Sequence, residues 1–143
     1  MKKSALCLAI GAVFGLVAAA HAQAPAPAGA GFDGTYRFVS SANVNATYTA
    51  RNGKMGTCPA RRAGPLHVAN GRARYTTTTG YKFRGTVGPQ GELAMRVLAP
   101  NNAGGAQPLD MRTSGTIDAS GAAHARQTSN SCSYDFVWQK ASR

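Results

Sequence analysis

The sequence predicts an all-β domain, an antiparallel meander of eight to nine short strands closed into a small barrel. Three observations carry this expectation. From residue 32 onward the apolar residues recur with a period of two, not 3.6, and no stretch shows a helical stripe. Successive alternating runs are separated by hairpin chemistry, either Asn-Gly or a short loop ending in glycine. The first and last runs both carry aromatic residues on one face, and pairing them removes the two open edges that a flat meander would expose. A two-layer β-sandwich is the alternative compatible with the same pattern.

Taken in order, residues 35–40 alternate with Tyr36 and Phe38 on one face. Residues 44–50 alternate weakly, with Val44, Ala46 and Tyr48 against Asn45, Thr47 and Thr49. Residues 51–65, rich in glycine, proline and arginine, read as a loop carrying Cys58. Asn70-Gly71 then forms a two-residue turn between residues 66–69 and 72–75. In that register Val68 faces Ala73 and Leu66 faces Tyr75, while His67, Arg72 and Arg74 share the other side. Residues 81–87 and 92–98 flank Gly88-Pro89-Gln90-Gly91. A four-residue loop would pair Val87 with Glu92 and mix the faces. A three-residue loop, with Gly91 left-handed, pairs Val87 with Leu93, Gly85 with Met95 and Phe83 with Val97.

Residues 111–118 and 122–128 flank Ala119-Ser120-Gly121 in the same way. Gly115-Thr116-Ile117 and Gly121 repeat Gly85-Thr86-Val87 and Gly91, so one type of hairpin is used twice, too few copies for a solenoid or propeller. The last run, residues 132–139, sets Cys132, Tyr134, Phe136 and Trp138 against Ser133, Asp135, Val137 and Gln139. The expected core is therefore Tyr36, Phe38, Leu66, Val68, Tyr75, Tyr81, Phe83, Val87, Leu93, Met95, Val97, Ile117, Tyr134, Phe136 and Trp138. Packing accounts for such an interior, since small barrels are filled by their own side chains. A cavity for a small apolar ligand is the alternative, because inward tyrosines and a tryptophan need partners for their polar tips.

The N-terminus has the three parts of a secretory signal: Lys2 and Lys3, an apolar run over residues 5–20, and Ala20-His21-Ala22. Cleavage is expected before Gln23. The apolar run is shorter than the roughly 20 residues of a membrane span, and no positive cluster follows it. Residues 23–31, built of Gln, Ala, Pro and Gly, read as a flexible lead-in, and residues 32–140 as a single domain. Loss of residues 1–22 discards Cys7 and leaves Cys58 and Cys132, which are expected to form a disulfide in an oxidising periplasmic or extracellular compartment. Neither cysteine has a histidine or second cysteine at metal-ligand spacing.

Catalysis has no organised residues in this pattern. The five carboxylates, Asp33, Glu92, Asp110, Asp118 and Asp135, occupy strand ends, turns or outward positions, and no two form a general acid/base pair. His67 and His124 face outward without a third metal ligand. The glycines accompany turns and never precede a helix, so no phosphate-cradling loop is expected. No cofactor or metal is assigned. Residues 99–108 form a long uncharged connection, either a lid or a spacer.

The outward face carries the sharper signal. The chain has a net charge of +11, which becomes +9 without Lys2 and Lys3, and most of its cations are arginine. His67, Arg72 and Arg74 come from one hairpin, Lys82, Arg84 and Arg96 from the next, and Arg112, His124 and Arg126 from the third. Arg84 falls directly opposite Arg96, an arrangement normally unfavourable across a strand pair. Arginine suits phosphate, carboxylate and sulfate groups through paired hydrogen bonds. The band is thus the candidate site for an anionic envelope component: lipopolysaccharide phosphates, an acidic glycan or an acidic protein. A solvated exterior of a high-pI protein is the plainer reading. Nucleic acid is disfavoured, because the aromatics that would stack on bases face inward.

The pattern Phe32-Asp33-Gly34-Thr35-Tyr36, the two Gly-Thr-[Val/Ile]-x-x-x-Gly hairpins and the ending Cys132-Ser133-Tyr134-x-Phe136 resemble a group of small exported proteins of Gram-negative bacteria. The resemblance implies a periplasmic β domain. Its motifs mark strands and turns, and no functional residue follows from it.

Overall fold

The protein is described by a computed structural model covering residues 29–97 and 110–142. The expected signal peptide, most of the lead-in and the connection at residues 99–108 lie outside the described residues. Ten strands are present: β1 (Gly34–Asn43), β2 (Thr47–Thr49), β3 (Met55–Thr57), β4 (Leu66–Ala69), β5 (Arg72–Thr76), β6 (Lys82–Val87), β7 (Glu92–Val97), β8 (Arg112–Ile117), β9 (Ala122–Thr128) and β10 (Ser133–Lys140). Eight of them close an antiparallel barrel in the order β1-β10-β9-β8-β7-β6-β5-β4, and among the described residues β2 pairs with β3 alone. The barrel is therefore the architecture, not the sandwich.

Closure follows the aromatic logic of the two terminal strands. Phe38 stands opposite Trp138 in the β1–β10 pair, and the opening residues of β1 also pair with β4. A bulge at Val39 interrupts the first of these pairings. The extra residue lets β1 bend between its two neighbours, and it leaves Val39 58% exposed.

The hairpin registers are those the alternation dictates. Val68 pairs with Ala73 around a turn in which Asn70 and Gly71 both have positive φ, 51° and 70°. Val87 pairs with Leu93, Gly85 with Met95 and Phe83 with Val97. The repeated glycines at 85 and 115 answer a further demand. A Cβ at Gly85 would overlap the carbonyl oxygen of Ala94, and one at Gly115 would overlap that of His124. Each permits the next strand to cross closely as the sheet curls into a ring.

The interior is filled by side chains. Trp138, Tyr36, Tyr134, Phe83 and Phe136 are almost wholly buried. Tyr75 stacks on Phe83 at 4.6 Å, and Phe136 meets Trp138 edge-on at 5.4 Å. The Trp138 indole N–H donates to the carbonyl of Gly64 at 3.0 Å. Tyr81, expected in the core, is half-buried just outside β6.

Two local expectations are corrected. Residues 44–50 do not supply a barrel strand; Thr47–Thr49 instead forms a small separate sheet with Met55–Thr57, inside the segment expected to be loop. Their alternation offers only Val44, Ala46 and Tyr48; Val44 stays exposed, and Tyr48 packs against the core from the small sheet. Packed structure also begins earlier than residue 32. Gly29 is buried with φ 78°, where any side chain would overlap the Val87 carbonyl, and a 3-10 turn follows at Ala30–Phe32.

Cys58 and Cys132 form a disulfide with Cα atoms 5.7 Å apart. It ties the β2–β3 excursion to the start of β10. Asn45 completes the attachment, donating to the Ser131 carbonyl at 2.9 Å and accepting from the Ser133 N–H at 2.8 Å.

Candidate functional site: an arginine row on the barrel exterior

Alternation sends every second residue of each barrel strand outward. His67, Arg74, Arg84, Arg96 and Arg112 are five such residues, one on each of β4 to β8. Strand pairing places them in one line. His67 is opposite Arg74, Arg74 opposite Arg84, Arg84 opposite Arg96 and Arg96 opposite Arg112. The four arginines are exposed, and His67 is half-buried with its Nδ1 3.2 Å from the Thr35 hydroxyl. Neighbouring strands lie roughly 4.8 Å apart, so the four guanidinium stems cover roughly 14 Å of the barrel's circumference.

The remaining cations of the expected band do not join this line. Lys82 pairs with Thr76, beside the row. Arg72 and Arg126 belong to the adjacent outward line, which reads Arg72, Thr86, Ala94, Ser114, Arg126, Asp135 from β5 to β10. His124 lies one further line away, opposite Thr116.

Electrostatic compensation differs sharply along the band. Arg126 makes two hydrogen bonds to Asp135, at 2.8 and 3.0 Å. Those bonds hold the Asp135 carboxyl below its ordinary value and raise that of Arg126. Arg112 is bound by Asp110 in the same manner, with the Asp110 carboxyl lowered by the hydrogen bond from Arg112. Among the described residues, Arg74, Arg84 and Arg96 have no carboxylate within salt-bridge distance. Asp118 is occupied elsewhere: the Ser120 hydroxyl and the Ala122 N–H lower its carboxyl as they close the β8–β9 turn. The centre of the row without an ion pair is thus Arg74-Arg84-Arg96, with Asp110 acting on Arg96 only at longer range.

Shallow depressions flank the row. One of about 560 Å³ is walled by His67, Arg72, Arg74 and Arg84, and another of about 310 Å³ by His67, Arg74, Lys82 and Arg84. Both are open to solvent and lined by the same three residues on their shared side. Such a surface can receive anionic groups through bidentate guanidinium contacts without enclosing the molecule that bears them.

The interior holds a polar group that was not singled out from the sequence. Thr113 and Gln127 are buried, with the Tyr75 and Thr113 hydroxyls 2.6 Å apart and Tyr75 donating to Gln127 at 3.3 Å. Burial pushes the Tyr75 phenol well above its usual range. The strict alternation Met111, Thr113, Gly115, Ile117 and Ala123, Ala125, Gln127 marks both residues as inward. At this end of the barrel Arg61 lies over the rings of Tyr134 and Tyr81, at 5.0 and 5.6 Å. Among the described residues no three His, Cys, Asp or Glu side chains assemble a metal site.

No family model, curated protein or solved structure matches the chain.

Proposed function

We propose that this protein is an exported, non-enzymatic binding domain that captures an anionic component of the cell envelope or its surroundings. The observation that carries the reading is the in-register row Arg74, Arg84 and Arg96, three cations directly opposite one another with no carboxylate in salt-bridge reach among the described residues. Like charges facing across strands oppose folding. A sheet exterior can avoid them with any polar residue, and departures from such local rules concentrate where function demands them. An anion laid on the row converts the repulsion into attraction. The signal-like N-terminus and the Cys58–Cys132 disulfide support a periplasmic or secreted location.

The test is polyanion binding measured against salt. A heparin-type polyanion is expected to bind at low ionic strength, with log K falling linearly as log salt rises. Changing Arg74, Arg84 and Arg96 together to glutamate should abolish binding while leaving the far-ultraviolet spectrum unchanged. Binding that ignores salt, or that survives the triple reversal, refutes the reading.

A carrier role for the barrel interior has one supporting feature, the Tyr134 hydroxyl, which is buried with no hydrogen-bond partner among the described residues. The close-packed rings around Trp138 weigh against it. A carried molecule would copurify with the protein and quench Trp138 fluorescence.

A further inference from the structure

The surface beside the arginine row restricts what kind of anion fits. The adjacent outward line is small across three strands: Thr86 on β6, Ala94 on β7 and Ser114 on β8, all exposed. These residues floor a trough parallel to the row. Its far flank is raised at Glu92 and His124, on either side of Thr116, and the Glu92 carboxylate accepts from the Gln90 N–H at 3.1 Å. The two ends open into depressions. One is the 560 Å³ recess at His67 and Arg72; the other, of about 440 Å³, is walled by Ser114, His124, Arg126 and Asp135. From β5 to β9 the trough crosses four strand spacings, roughly 19 Å.

Three features of this trough narrow the occupant. The arginines without an ion pair stand along one flank, with Arg72 closing one end of the floor line, and the opposite flank includes an acid, so the bound chain meets the row through the negative groups of one edge. The floor offers two hydroxyls and two methyl groups, which suits a hydroxyl-rich body and leaves room for it. Among the described residues no Phe, Tyr or Trp is exposed along the row or trough, so the bases of a nucleic acid would find little to stack on. A single phosphate would engage one or two arginines and leave the rest of the row repelling itself.

We propose that the occupant is a linear acidic polysaccharide, laid across the strands with its carboxylate or sulfate groups on Arg74, Arg84 and Arg96 and its sugar rings over Thr86, Ala94 and Ser114. This rests on the reading of the row as an anion-binding site. One sugar advances such a chain by close to one strand spacing, so about four to five sugars span the trough. Each acid group added on the edge facing the row reaches a further arginine without a new association step, so affinity climbs with length until the row is filled.

Calorimetry on the intact protein at low salt, with galacturonate oligomers of increasing length, tests this. Affinity should rise by about a hundredfold between one sugar and the row-spanning length and then level off. Oligoglutamate of equal charge and pyrophosphate should each bind at least about tenfold more weakly than the row-spanning oligomer. Filling the trough with Ala94→Phe, or independently Ser114→Leu, should weaken the oligomer about tenfold and leave pyrophosphate binding within about twofold. Oligoglutamate or pyrophosphate binding as tightly as the oligomer would overturn the polysaccharide assignment and leave the anion-binding reading intact. So would an affinity independent of length, or oligomer binding indifferent to both trough variants. Failure of all three probes to bind in a salt-dependent manner would overturn the anion reading itself.

Discussion

Replacing Arg84 by glutamine should make this protein more stable, by an amount that salt abolishes. Arg84 is the middle of the row, directly opposite Arg74 on one side and Arg96 on the other. With the guanidinium groups splayed to roughly 8 Å in water, each like-charge pair costs about 0.5 kcal/mol, and the two together about 1 kcal/mol. The Debye length is about 8 Å at physiological ionic strength and about 3 Å at 1 M, so the penalty falls to about 0.4 kcal/mol and then to nearly nothing. For a domain near 100 residues, 1 kcal/mol corresponds to a Tm shift of about 4 °C. Arg84→Gln is therefore expected to raise Tm by about 4 °C at low salt, about 2 °C at physiological salt, and not at all at 1 M. Glutamine keeps part of the aliphatic stem, which limits the loss of surface packing. Thermal unfolding followed by circular dichroism at three salt concentrations is the assay. A gain of equal size at every salt concentration, or a loss of stability at low salt, would refute the electrostatic argument. The same variant should weaken polyanion binding, because the strain being removed is the feature that recognises the anion.

Three further outcomes are expected. Changing Cys58 and Cys132 together to serine opens a loop of 74 residues and should cost roughly 4 kcal/mol by chain entropy, read from urea unfolding against the oxidised protein. Gly115→Ala, whose new methyl would overlap the His124 carbonyl and press on Ala125, should destabilise by about 1–3 kcal/mol; an unchanged Tm would show that the strand crossing there is not tight. Tyr75→Phe should cost about 1–3 kcal/mol by stripping the buried Thr113 and Gln127 of their shared partner, whereas Tyr134→Phe, which removes an unpartnered buried hydroxyl, should be neutral or stabilising in the same unfolding assay.

The barrel could be read from the sequence where side-chain alternation and turn chemistry reinforced each other. Val87 and Leu93 are both apolar, and Gly91 accepts φ 91°, so only one register satisfied both demands. The β2–β3 sheet had no such support. Met55-Gly56-Thr57 is too short to alternate, and it is held by Asn45, the disulfide and the Tyr48 ring over Gly56, contacts made across the fold and invisible to local pattern. The bulge at Val39 was hidden for a related reason: it answers to β10 and β4, which lie far away in sequence.

The basic band was foreseen as a set of outward cations, including the Arg84–Arg96 pair set by its own hairpin. Its extension into a row depended on the β5–β6 and β7–β8 pairings. The first is closed by a three-residue turn in which Thr77 pairs with Tyr81 and Gly80 has φ 90°, a signal present in the sequence but not read from it. The second joins strands too far apart in sequence for turn chemistry to set their register. The trough of Thr86, Ala94 and Ser114 depended on the same pairings. Small polar residues on a sheet exterior carry no signal of their own until the strands beside them are known.

The central claim is that Arg74, Arg84 and Arg96 act together on one anionic ligand. Its most direct test is a nuclear magnetic resonance titration that follows the arginine side-chain Nε–H signals as a galacturonate oligomer is added. The signals of Arg74, Arg84 and Arg96 should shift together along one binding curve, while that of Arg37 on β1 stays in place. Shifts spread evenly over all the arginines, or confined to Arg37 and to Arg51 between β2 and β3, would contradict the account.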